Sequence, residues 1–258
     1  MFTSCKEMFD YSPYVIDFDE ENENINNKNI TKIESQNNTD ETIRIAFTAD
    51  THRNSDELDE FVNAVNLMNQ TKPVDFAIHL GDFADFGLPK QYLWANSYLS
   101  KLEMPYLVVL GNHDLVGNGG DSYHEMFGDF NTSFIYDGVK FISINTNSRE
   151  FENDGTVPDI DWLDAQLKPS SDFTKVVIFF HVPPMDVDFD NELEDSFVAT
   201  LSKYNNVVLA VHGHLHHYET YIPYENNITF LNVYAIENDK YNLLELSKDT
   251  FKITTYDL

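Results

Sequence analysis

Residues 43–52 read Ile-Arg-Ile-Ala-Phe-Thr-Ala-Asp-Thr-His, a strand-like apolar run that ends on a carboxylate and an imidazole. The pattern recurs four times. VDFAIHL (74–80) runs into Gly81-Asp82, and YLVVL (106–110) into Gly111-Asn112-His113-Asp114. VVIFF (176–180) runs into His181, and VVLAV (207–211) leads to Gly213-His214-Leu215-His216. In open α/β sheets, ligands bind beyond the carboxyl ends of the strands. Five strands therefore carry Asp50, His52, Asp82, Asn112, His113, His181, His214 and His216 to one rim. Nitrogen and oxygen donors gathered in this way, with no Cys among them, read as a transition-metal site.

Helical patterns separate these runs. Leu58, Phe61, Val62, Val65 and Leu67 recur at near-helical spacing over 56–69. Pro89 suits the first turn of a helix over 89–101. Further helices are expected at 160–167 and 192–203. Asp137-Gly138, between SFIY and VKFISIN, predicts a two-residue hairpin. After His217 only strand-like runs remain: YETYIP, ITFLNVYAI, YNLLELS and FKITTYD. Alternating strands and helices followed by strands alone fit one α/β (α+β) domain over 42–258, with two stacked sheets and helices outside.

Residues 1–41 read as an arm or tether. The stretch 17–41 is dominated by Asp, Glu and Asn, although Ile25, Ile30 and Ile33 offer an apolar face for docking a short helix. The single Cys, Cys5, rules out an internal disulfide. Its Phe-Thr-Ser-Cys context resembles the end of a bacterial lipoprotein signal, but no basic or apolar region precedes it. Two expectations stand: a lipid anchor at Cys5 on a cell-envelope lipoprotein, or a free thiol in a cytoplasmic protein. No run of about 18 or more apolar residues exists to span a membrane. The 258 residues carry a net charge of −28, which argues against nucleic acid as a partner, because phosphate contacts need clustered Lys and Arg.

The ordered set D-x-H, GD, GNH plus an acid, a lone His and GHxH resembles the calcineurin-like metallophosphoesterase family. The resemblance spans Ile43 to about His217. It implies a β-sandwich flanked by helices, in four αββα layers. Carried over motif by motif, Asp50, His52 and His216 bind one metal, Asn112, His181 and His214 a second, and Asp82 bridges them. The metals implied are two divalent or trivalent ions, such as Mn, Fe or Zn. Their shared hydroxide would attack a phosphomonoester or phosphodiester of a small substrate. Two divalent ions against two Asp and one hydroxide leave a local charge of about +1, which attracts phosphate despite the acidic surface. The resemblance also implies that His113 faces the leaving group and that Asp114 pairs with its other nitrogen. An alkoxide gains from proton donation, and a carboxylate neighbour orients the ring. A different class stays open, a cell-surface lipoprotein that uses the site for binding alone.

Other residues carry two readings each. Asp85 completes a GDxxD pattern and either orients a ligand or is a loop acid. Arg53 and Arg149 are candidate phosphate contacts. His79, His124, His212 and His217 read as structural. Gly117-Asn118-Gly119-Gly120 reads as a flexible connection, with a pocket-shaping role as the alternative.

Overall fold

The computed structural model describes residues 12–258, so Cys5 and the expectations attached to it lie outside the described residues. The first sheet is built on three parallel strands, β1 (Ile43–Thr48), β2 (Phe76–His79) and β3 (Tyr106–Val108). The second holds β4 (Thr132–Tyr136), β5 (Val139–Ser143), β6 (Lys175–Phe179), β7 (Val207–His212), β8 (Glu219–Tyr221) and β9 (Thr229–Asn232). Its order is β4-β5-β6-β7-β9-β8, parallel from β5 to β9 with an antiparallel strand at each edge. The last two strands, β10 (Lys240–Leu246) and β11 (Phe251–Asp257), return to the first sheet beside β1 and give the order β11-β10-β1-β2-β3. Asp137 and Gly138, both at positive φ, form the expected tight turn between β4 and β5.

Strand periodicity explains the layers. Alternate residues point to opposite faces. Along β1, Ile45 and Phe47 enter the core between the sheets, and Ala46 faces the helices. Along β6, Val177 and Phe179 enter the same inner core, and Val176 and Ile178 face outward. On the first sheet's outer face lie α2 (Ser55–Asn69), α3 (Pro89–Leu99) and α4 (Gly119–Phe127), anchored by Phe61, Val65, Tyr92 and Phe127. On the second sheet lie α5 (Ile160–Leu167) and α6 (Asn191–Lys203), anchored by Leu163, Leu167, Phe197 and Leu201. The result is the expected helix–sheet–sheet–helix stack. Gly119 and Gly120, expected in a flexible connection, instead open α4.

Over the described part of the arm, the structure shows the docked short helix that Ile25, Ile30 and Ile33 allowed. Helix α1 (Ile25–Ser35) packs on the body with Ile25 and Ile33 buried. Its polar face explains why composition misled: Asn26 and Asn29 are buried too. The Asn26 side chain donates to Val108 O at 2.8 Å and accepts from Val108 N at 3.0 Å, as a neighbouring strand would. Asn29 donates to Tyr106 O at 2.8 Å. Among the described residues, no helix is long and apolar enough to cross a membrane.

Replacing Asn26 and Asn29 together by Ala is expected to cost about 1–3 kcal/mol for each backbone group left buried and unpaired. Urea unfolding at fixed metal concentration should show the midpoint falling. An unchanged midpoint would mean that α1 rests loosely on β3.

Candidate metal centre

The carboxyl ends of β1, β2 and β3 meet those of β6 and β7 at one rim of the stack. The structure brings all seven expected ligands together there. Asp82 lies at the middle and is almost fully buried. Its Oδ2 is 3.2 Å from His181 Nε2 and 3.6 Å from His52 Nε2. The backbone N–H of His113 donates to its Oδ1 at 2.9 Å. On one flank, His216 Nε2 lies 3.4 Å from His52 Nε2 and 3.6 Å from Asp50 Oδ1. On the other, Asn112 Oδ1 is 3.1 Å from His181 Nε2, and His214 stands ring-to-ring against His181. Asp50, His52 and His216 form one cluster with cation-ligand spacing, and Asp82, His181 and His214 another.

The backbone is bent to achieve this. Asp50, His52, Asp82, His214 and His216 all have positive φ, a conformation uncommon outside Gly. Two motif glycines are fixed by close approach. A Cβ on Gly81 would lie 2.4 Å from His181 Nδ1, and one on Gly111 would lie 2.0 Å from Asp82 N. Such strain clusters at functional sites because it holds side chains in place before a ligand arrives.

The donor chemistry fits cations. Asp50 Oδ2 is buried without a hydrogen-bond partner. Burial drives the Asp50 carboxyl upward, and the Asp82 charge adds to that against the pull of His181 and His216. Burial opposes ionisation of Asp82 as well, but His181, His52 and His113 outweigh it and hold that carboxyl below the usual range.

Two of the expected ligand histidines present their outward nitrogen to an oxygen: His181 Nδ1 faces Leu80 O at 2.7 Å and His216 Nδ1 faces Glu237 at 3.0 Å. His52 Nδ1 lies 3.7 Å from Asp85, too far for a hydrogen bond, and is buried without a hydrogen-bond partner. His214 is turned the other way, with Nε2 facing Asp186 at 3.3 Å. Such partners fix the tautomer and orient the ring toward a metal. Glu237, Asp186 and Asp188 have no counterpart in the motif reading. They follow no fixed spacing from the ligands and come close only through the folding of two loops.

One expected contact is replaced. Asp114 does not pair with His113. Its buried carboxylate accepts backbone N–H groups from Phe83, Ala84 and Gly111 at 3.2, 2.8 and 2.9 Å, stitching the GD loop to the GNHD loop. Burial nevertheless pushes this carboxyl up to about 7, with the Asp82 charge adding to it. His113 faces Asp85 instead, with Nδ1 3.1 Å from its carbonyl oxygen and 3.3 Å from its carboxylate. The two arginines are also engaged. Arg53 is bonded to Asp85 and covers Phe86, and Arg149 is bonded to Asp188 and Glu150. His79, on Thr51, and His212, on Tyr221 and stacked over Phe180, are buried structural residues. His124 and His217 lie at the surface beside Asp129 and Glu219.

Two stacked sheets whose strand ends converge on a two-cluster Asp, Asn and His centre define the metallophosphoesterase fold. The chain belongs to the calcineurin-like phosphoesterase family, whose sequence profile matches residues 43–218. It is similar to a probable glycerophosphodiester phosphodiesterase of Arcobacter nitrofigilis, 27% identical over 61% of this chain and 63% of that one. It also resembles a glycerophosphodiester phosphodiesterase of Enterobacter lignolyticus, 26% identical over 43% of this chain and 42% of that one. The chain thus spans less than two thirds of the length of either curated relative. Among solved structures, a dimetal phosphatase from Danio rerio superposes with a TM-score of 0.65 at 14% identity, over 83% of this chain and 96% of that one. The anchor GAP50 of the Plasmodium inner membrane complex gives 0.61 at 13% identity, over 84% of each chain. At these identities the likeness is one of fold.

The buried histidines give the metal-free protein a defined pH response. Burial holds both His79 and His212 down to about 3. In the unfolded chain they titrate near 6.5. Their contribution is therefore present above about 6.5 and lost as pH falls toward 3, at up to ~1.4 kcal/mol per histidine per pH unit. Thermal melts of chelated protein from pH 7 to 5 should show the decline, and His212→Phe should reduce its slope. Parallel slopes would mean that His212 is charged in the fold.

Proposed function

We propose that the chain is a dinuclear metal-dependent phosphoesterase that prefers small phosphodiesters to phosphomonoesters. The carrying observation is the donor cluster around Asp82, with a buried Asp50 oxygen left unpartnered beside it. Asp50, His52 and His216 would hold one ion, Asn112, His181 and His214 the other, and Asp82 both. Ions held there supply Lewis-acid activation of the phosphoryl group and a water whose pKa is lowered toward ~7.

The chain's own residues supply orientation and a proton. The Asp85 carbonyl and carboxylate face His113 Nδ1 and would hold its proton there, so that the imidazolium gives its Nε2 proton to the departing alkoxide and is left as the neutral Nδ1–H ring. Asp114 serves this proposal through the backbone: it fixes the loops that carry Asp82 and His113. The diester preference rests on charge. Arg53 and Arg149 are spent on carboxylates, and Asp186, Asp188 and Glu237 stand beside the ligands. A monoester dianion meets more repulsion there than a diester monoanion. The names of the two curated relatives agree with that preference.

The test is hydrolysis of bis(p-nitrophenyl) phosphate and p-nitrophenyl phosphate after loading with Mn, Zn or Fe. Higher kcat/KM on the diester is expected, and Asp82→Ala should lose both turnover and at least one metal per chain. Two bound metals without turnover of either ester would favour a binding protein. His113→Gln should keep both metals and slow the reaction about 10²–10⁴-fold, most for poor leaving groups. Loss of a metal from that variant would make His113 a ligand.

A further inference from the structure

The loop after His181 brings two carboxylates to the outward edge of His214, a side of the site the motifs do not mention. Asp186 Oδ1 is 3.3 Å from His214 Nε2, and Asp188 Oδ2 is 3.7 Å away. The loop is built rigidly. Phe189 is buried in the outer core of the second sheet, and its N–H donates to Asp186 O. The backbone N–H of Arg149 donates to Asp188 O at 3.1 Å, and its guanidinium grips the Asp188 side chain. The Asp188 N–H donates to Asp186 Oδ1 at 2.9 Å. Asp186 is thus aimed by its own loop at the one ligand histidine that turns Nε2 outward.

Three donors this close also have the spacing of a cation site. Two features argue against a third ion. Asp188 already carries a guanidinium on its other oxygen, which repels a further cation. Asp186 Oδ1 already receives one N–H and lies opposite an imidazole nitrogen that can supply another.

We propose that Asp186 is a positioning residue for the second metal. Held by Arg149 and Asp188, it keeps the proton of His214 on Nε2 and leaves Nδ1 as the donor. A carboxylate behind a ligating imidazole raises its basicity, and losing such a partner typically weakens metal affinity 10–100-fold. The two halves of the pair would then be tuned by different loops, one by Glu237, the other by Asp186.

This inference rests on the dinuclear reading above, and the experiment separates the two. Zn binding to metal-stripped protein is titrated by calorimetry for wild type, Asp186→Asn and Asp186→Ala. Imidazole nitrogen shifts of His214 are read by NMR in the metal-free state. Two ions are expected in every form. In both variants the weaker step should fall 10–100-fold, the tighter step and the metal-free melting temperature should hold, and His214 should lose its single tautomer. Asp186→Asn keeps the side chain's size, so a packing effect of Ala alone would show as a difference between the variants. No metal bound by wild type would overturn the dinuclear reading itself. Two ions with affinities unaltered in both variants would overturn the role of Asp186 alone. Three ions in wild type and two in the variants would replace that role by a cation site.

Discussion

The contact between Asp82 and His181 joins the two halves of the stack. Asp82 ends β2 in the first sheet, His181 ends β6 in the second, and 3.2 Å separates their nearest polar atoms. No side chain larger than hydrogen fits behind them at Gly81 or Gly111. The distance between the sheets therefore sets the distance across the metal centre. That spacing comes from the inner core, where Phe47 and Phe141 both pack on Phe179 and Phe76 packs on Phe134, Tyr136 and Phe141. Interiors are close-packed and transmit strain. An inner-core substitution far from any donor would act on metal binding by moving one sheet against the other.

Electrostatics and strain reinforce this dependence. Without cations the centre holds two carboxylates of opposite tendency, one pushed toward its neutral form by burial and one kept charged by histidines. Five of the proposed ligand residues sit in a left-handed backbone conformation. Neither condition favours the fold locally. Both are offset by three hydrophobic layers and by carboxylates that serve only the backbone, of which Asp114 is the clearest.

Much of this was legible in the chain. The gathering of these donors at one rim follows from strand ends, because a strand's direction and a following Gly leave few places for the next side chain; their proposed roles as ligands came from the family resemblance. The alternation of β1 and β6 gave the layers. What escaped was everything that depends on loop return. The family resemblance implied that Asp114 pairs with His113. In the 3₁₀ turn at 113–115 it points back to the amides of the GD loop, and the carboxylate that reaches His113 comes from Asp85, 28 positions away. Asp186, Asp188 and Glu237 lie in loops whose course no periodicity encodes. The division of the last four strands between two sheets was equally invisible, since all four read as short strands. The arm misled for a different reason. Low hydrophobicity argues for a loose segment only if the polar groups seek water, and here Asn26 and Asn29 seek the peptide groups of β3.

That last arrangement bears on more than folding energy. An uncovered strand at the end of a sheet is a template on which another chain can add. The strand concerned, with its flank Tyr106-Leu107-Val108-Val109-Leu110, is apolar, uncharged and free of Pro and Gly, the composition from which cross-β assemblies grow. By laying amide side chains along it, α1 occupies the positions that an incoming strand would use. A protease cut in the segment 36–42 that released the helix would leave every proposed metal ligand in place and yet bare this edge. The segment that reads as the least structured part of the chain is thus the one that caps this edge.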